Sequence, residues 1–157
     1  MQEKRMKAWA IAIMVLLAGC SAPASNTIDG IQCQSMEGAA MHIHAHLDLF
    51  VNNRSIPVPS NVGILKSCLF WLHTHDGSGI IHIEAPTKRE FTLGNFFSVW
   101  DRTFGSNTIG NQTPIVYVNG QLYEGDYRSV KLNKHDSIVL EIDSTIPPKN
   151  YMFPPGL

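Results

Sequence analysis

The chain has 157 residues, with 12 Lys+Arg against 13 Asp+Glu and 44% hydrophobic residues. A near-neutral balance with no basic block leaves no electrostatic footprint for nucleic acid. Past residue 20 no apolar run is long enough to cross a membrane, and the length suits one domain with a modest core.

Lys4, Arg5 and Lys7 precede an apolar run from Ala8 to Leu17, which ends in Leu17-Ala18-Gly19-Cys20. The run is shorter than the ~20 residues that a membrane span needs. It has the three-part layout of a secretory signal. Its ending resembles the lipobox of bacterial lipoproteins. That resemblance implies cleavage after residue 19, a lipid carrying palmitate on Cys20, and an anchor in the cell envelope. A plain signal peptide or a short membrane anchor is the alternative. Ser21 stands where an inner-membrane retention signal of Gram-negative lipoproteins would have Asp, which implies the outer membrane, periplasmic side. Cleavage would remove Lys4, Arg5, Lys7 and Glu3 and leave the mature chain acidic. Residues 20–30 are small and polar around Ala22 to Asn26 and read as a lipidated tether. Residues 31–157 read as the folded domain.

Cys33 and Cys68 remain. Outside the cytoplasm a disulfide is the default for such a pair. Closing that loop would stabilise by about 4 kcal/mol in the chain-entropy treatment. The alternative makes one thiolate a metal ligand.

Residues 42–50 alternate strictly. Ile43, Ala45, Leu47 and Leu49 fall on one face; His42, His44, His46 and Asp48 fall on the other. Period two predicts a strand with one buried face. Val51-Asn52-Asn53-Arg54 reads as a turn, and Ser55 to Val58 as a short return strand kept near a sheet edge by Pro57 and Pro59. Leu69 to His75 and Ile80 to Ala85 are two more strands about the turn Asp76-Gly77-Ser78-Gly79. Thr92 caps a helix from Leu93 to Trp100, whose Leu93, Phe96, Phe97 and Trp100 have helical spacing for core packing; Gly94 weakens it. Gly105 to Thr113 reads as a loop. Ile115 to Val118, Asn119-Gly120 and Gln121 to Tyr123 form a hairpin, and Ile138 to Ile142 a last strand. The Pro-rich tail around Tyr151 should lie extended across the body. The class is α+β, a small mixed or antiparallel sheet with one helix. Helix followed by strand–turn–strand is an order similar to a β-grasp.

Six of the 7 histidines fall in two short segments, which makes their mutual placement the central question. If the Gly77-Ser78 turn closes symmetrically, His73 faces His82, Trp71 faces Glu84 and His75 faces Ile80. Phe70, Leu72, Ile81 and Ile83 then share the apolar face. A one-residue slip would destroy that division. Residues i and i+2 on a strand stand roughly 6.5–7 Å apart, so two imidazoles can lean onto one ion with bonds of about 2.0–2.1 Å. His-x-His on one strand, completed from a neighbour, builds a His₃ site. Candidate metal ligands are His42, His44, His46, His73, His75, His82 and Glu84. Asp48 is a further ligand or an acceptor that fixes an imidazole tautomer. Solvated or pH-sensing histidines are the ordinary alternative. Six neutral rings crowded together without an ion would waste donors and acceptors and repel on protonation. His135 reads as a turn residue. Met41 is either a soft donor to Cu⁺ or packing.

Taken together, the HIHAHLD stretch from His42, the LHTHD stretch from Leu72, the GIIHIE stretch from Gly79 and FTLGNFFSVW from Phe91 resemble an uncharacterised family of exported or membrane-anchored bacterial proteins. The resemblance runs from about Cys33 to the tail and carries no activity with it. It implies Cys33 and Cys68 as matched positions, which fits a bridge flanking the site. The cupin pattern fails, because eight residues separate His75 from Glu84. The HExxH, G-x-S-x-G and phosphate-loop motifs are missing.

Three readings follow. The first is an envelope protein that captures, buffers or delivers Zn²⁺ or Cu²⁺ through imidazole and carboxylate donors. The second is a hydrolase- or hydratase-type metalloenzyme with an open His₃ site, and Glu84 or Asp76 as general base; Asp76 is more simply a turn former. The third is a β-grasp-like binding module without an ion.

Overall fold

The computed structural model describes residues 26–105, 109 and 112–157. The proposed export signal, Cys20 and residues 21–25 lie outside the described residues. Among the described residues no helix is long and apolar enough to cross a membrane.

The fold is α+β. In chain order the elements are β1 (Thr27–Ile28), β2 (Ile31–Gln34), β3 (Met41–Val51), β4 (Arg54–Ile56), β5 (Leu69–Phe70), β6 (Leu72–His73), β7 (Ile80–Ala85), α1 (Leu93–Phe104), β8 (Ile115–Val118), β9 (Gln121–Leu122), a 3-10 turn (Tyr127–Ser129) and β10 (Ser137–Ile142). The main sheet has the order β6-β7-β3-β10-β8-β9, with β4 also on β3; β1, β2 and β5 form a second, small sheet. β3 and β10 are parallel. A parallel pair needs a long crossover, and here α1 lies within it.

Local chemistry explains most elements. Asn52 and Asn53 have φ of 52° and 59°, the left-handed pair that a tight hairpin turn requires, so β4 folds straight back on β3 with Val51 opposite Arg54. Asn119 and Gly120 repeat the device at φ 52° and 76° between β8 and β9. Thr92 and Asn95 form a capping box: Asn95 N donates to Thr92 Oγ1 at 3.3 Å, and Thr92 N donates to Asn95 Oδ1 at 3.0 Å. The helix runs a turn past its expected end at Trp100, and Gly105 N closes it on Asp101 O at 3.0 Å. Gly94 is more than a flaw in that helix. A Cβ there would sit 2.7 Å from Arg128 O, so glycine lets the 3-10 turn pack against the helix.

The segment expected as one strand from Leu69 to His75 is broken at Trp71. β5 pairs with β2, whereas β6 pairs with β7. The Cys33–Cys68 disulfide, with Cα atoms 5.4 Å apart, ties β2 to the residue just before β5.

Ala45, Leu47 and Leu49 of β3, Ile81 and Ile83 of β7, and Ile138 and Leu140 of β10 share one buried cluster with Leu93, Phe96, Phe97 and Trp100 of α1. The helix therefore covers the apolar face, and the histidine face is opposite. That second face is not left open. Around β10 it carries Ser137, Val139 and Glu141, all buried, and the tail lies over it. Tyr151 N donates to Ser137 Oγ at 2.9 Å, Tyr151 stacks on His46 with ring centroids 3.7 Å apart, and Phe153 stacks on His135. His135, in a turn with φ 63°, donates from Nε2 to Leu157 O at 2.8 Å. The extended tail is thus fastened at both ends.

Candidate metal centre

The ladder registers place the site. His73 is opposite His82, and Leu72 opposite Ile83, the symmetric closure that the Gly77-Ser78 turn predicts. The same β7 then pairs with β3, putting His44 opposite His82 and His42 opposite Glu84. His73, His82 and His44 accordingly form one row across three strands, with Glu84 and His42 in the next. Glu84 N donates to Trp71 O at 2.8 Å, which extends the β6–β7 contact beyond the ladder. His75 follows β6 in a non-strand segment and leans back toward the row.

Two overlapping groups result: His42, His44, His82 and Glu84, and His73, His75, His82 and Glu84. Within each, the ligand atoms all lie within 4.8 Å of one another. The individual separations carry more information. His42 Nε2 and His82 Nδ1 stand 3.2 and 3.3 Å from Glu84 Oε1. His73 Nε2 stands 3.3 Å from His75 Nε2 and 4.0 Å from Glu84 Oε1. Donors around a tetrahedral ion, at bonds of about 2.0–2.1 Å, are about 3.3–3.4 Å apart. These side chains already sit near that spacing, and the clustered imidazole and carboxylate groups can hold a metal ion.

Three of them are placed to do so by what they lack or already hold. His44 is 5% exposed and Glu84 2%, yet His44 Nε2 and Glu84 Oε2 have no hydrogen-bond partner among the described residues. Buried polar atoms left unpaired cost about 1–3 kcal/mol each, and coordination would satisfy both. His73 Nδ1–H donates to Phe70 O at 2.9 Å. That bond fixes the tautomer and turns the Nε2 lone pair toward His75 and Glu84, the arrangement that supporting carbonyls give to ligating histidines.

Electrostatics agree. Burial, reinforced by His82 and His42, lowers the His44 pKa to about 4. Burial likewise holds His73 at about 4, against the raising influence of the Phe70 carbonyl and Glu84. Both rings are neutral at pH 7, with a free lone pair. Burial works to raise the pKa of Glu84, but its hydrogen bond with His82 and the nearby His73 and His42 bring it below the ordinary carboxylate value. The site therefore presents a carboxylate at Glu84 and neutral imidazoles at His44 and His73, the forms that bind metal.

His46 stands apart from both groups. Its Nε2–H donates to Ser78 O at 2.8 Å, its ring lies under Tyr151, and Nδ1 is 3.7 Å from Asp48. It faces the same way as His44, but the sheet pairs it with Ile80, so β7 offers no donor opposite it. Asp76 accepts from Ser78 N at 2.9 Å in the turn, and Met41 is half-buried against the core. Tyr151 is the contact at this face that no sequence motif marks. The tail's Pro-rich composition predicts its path, whereas nothing in it predicts stacking on a histidine.

Compared with protein families, curated proteins and solved structures, the chain matches none.

Proposed function

We propose that this protein is an envelope lipoprotein that captures, buffers or delivers a divalent transition metal, Zn²⁺ or Cu²⁺, through the histidine face of β6, β7 and β3. One observation carries the reading: six donor side chains from separate strands converge, in two groups, with ligand atoms within 4.8 Å of one another. The donor chemistry narrows the ion. Both thiols of the domain are in the Cys33–Cys68 bridge, which leaves nitrogen and oxygen donors. Imidazole suits zinc, copper, nickel and iron, and raw affinity favours copper. The bridge also fits an oxidising compartment, as the export signal requires. Lipid on Cys20, its attachment at the outer membrane, and kinship with an uncharacterised exported family belong to the same proposal and rest on the sequence alone. A β-grasp-like reading belongs to it as well, supported by the β7-β3-β10-β8 order, with α1 falling in the chain between the antiparallel pairs β3–β7 and β8–β10.

Chelation tests the reading. The full-length protein, metal-loaded and then treated with a chelator, is expected to melt at a lower temperature, because an ion bound only to the native state stabilises it by mass action. Identical melts, together with no co-purifying or titratable metal, would remove metal binding and leave an ion-free module.

A second reading as a metalloenzyme is favoured by exposure. His42 is half-exposed and borders a cleft of about 530 Å³ walled by Met41, Ile43, Lys88 and Arg89. A bound ion there would supply Lewis-acid chemistry within reach of a small molecule. An exchangeable inner-sphere water, detected by relaxation of solvent protons in a paramagnetic-metal form, separates this reading from closed storage.

A further inference from the structure

We propose that the site takes two metal ions rather than one, one on each His-x-His pair, with the Glu84 carboxylate shared between them; this rests on the metal-binding reading. The case begins with the layout of the strands. β7 is central, and its His82 and Glu84 belong to both groups of potential ligands. His42 and His44 approach from β3 on one side, and His73 and His75 approach from β6 and the residues after it on the other.

The two sides have the same construction. Each pair contains one buried imidazole, His44 or His73, and one exposed imidazole, His42 or His75. Each exposed member borders its own opening. His42 lines the cleft beside Lys88 and Arg89, and His75 lines a separate one of about 350 Å³ beside Glu37 and Lys66. Each side thus has its own buried imidazole and its own opening.

The donor count agrees. A zinc or copper ion takes about four donors. The six side chains exceed that number, and the His42–His44 and His73–His75 pairs fall in separate groups that share only His82 and Glu84. A carboxylate has two oxygens and can serve two ions at once. Glu84 Oε1 already lies among His42, His82 and His73, while Oε2 is buried without a partner among the described residues. The nitrogens of His82 diverge across its ring, so it adds a donor to either ion. Carboxylate-bridged pairs of this kind clamp two oxygens of one substrate, which makes an oxyanion such as a phosphate ester the ligand class that the centre would recognise.

The test is stoichiometry, read on the full-length protein by equilibrium dialysis against Zn²⁺ or Cu²⁺ and elemental analysis. Two ions per chain are expected, falling to one in His42→Ala and to one in His75→Ala. Both replaced residues are exposed, so neither substitution opens the core. Loaded with Cu²⁺, the wild-type protein is expected to show a spin-coupled, diminished paramagnetic resonance signal, and each variant an ordinary uncoupled one. One ion per chain in the wild type would overturn the pair and leave single-ion binding standing. Two uncoupled copper signals in the wild type would overturn the shared carboxylate, and two ions still bound by either variant would overturn the assignment of one ion to each His-x-His pair. No ion at all would sink the metal reading itself.

Discussion

His73 and His46 show how much one hydrogen bond decides. Both are buried strand-face imidazoles, and each gives one N–H to a backbone carbonyl. In His73 the remaining nitrogen points toward His75 and Glu84; in His46 it faces Asp48 under the ring of Tyr151. His73→Ala is therefore expected to weaken metal binding by at least about 100-fold, the upper end of what losing only a supporting group costs. His46→Ala should leave affinity nearly unchanged and lower the melting temperature instead. Competition titration against a chromophoric chelator measures both, and equal losses of affinity would contradict the distinction.

Protonation gives a second residue-scale prediction. The metal-free protein should lose stability on acidification from pH 6.5 toward 4. The pKa values of His44 and His73 fall from 6.5 to about 4 on folding. Within that window the unfolded chain takes up protons that the native rings refuse, so native stability drops as pH falls, and the effect levels off below it. Above pH 6.5 neither ring contributes. Glu84, whose pKa is lowered in the fold, adds in the same direction at the acid end. Glu141, raised by burial, opposes it. Urea midpoints at pH 7 and pH 5 check the sign; a higher midpoint at pH 5 would contradict it.

At the scale of elements, the helix cap and the helix–turn contact are separable. Thr92→Ala removes the side-chain acceptor of Asn95 N and should cost about 1 kcal/mol. Gly94→Ala should cost more, despite alanine's better helix propensity, because its Cβ would meet the Arg128 carbonyl at 2.7 Å. Thermal denaturation of the two variants settles the order. The elements themselves were largely legible in the sequence. The alternation over residues 42–50 divides β3 into its two faces, and the Asp76-to-Gly79 turn sets the His73–His82 register, because apolar residues fall on one side in that register alone. Three features were not legible. The β1–β2 hairpin, Thr27–Ile28 against Ile31–Gln34, starts inside the stretch that reads as a tether. The bend at Trp71 depends on β5 finding β2, a partner that no local pattern names. The β3–β10 pairing joins residues some ninety positions apart and depends on how α1 packs. The cluster's membership follows from the β6–β7 and β3–β7 ladders: His46 has the same spacing as His42 and His44, but Ile80 lies opposite it, and its ring is held by Ser78 and Tyr151.

Across the whole molecule, two ties hold the histidine face in place. The Cys33–Cys68 bridge closes a loop with a sequence separation of 35. Its reduction should cost about 4 kcal/mol if the unfolded chain gains the corresponding entropy, shifting the denaturant midpoint downward. The tail is the second. Truncation before Tyr151 removes the ring stacked on His46 and the bond to Leu157, and should destabilise the fold while sparing the β6–β7–β3 donors. A truncated protein that melts like the full chain would show that the tail is not a structural tie. The most direct measurement on the central claim is X-ray absorption at the metal edge of the loaded full-length protein. Nitrogen and oxygen neighbours at about 2.0–2.1 Å with imidazole outer-shell scattering are the expected result. A sulfur shell at about 2.3 Å, or no metal retained to measure, would contradict it.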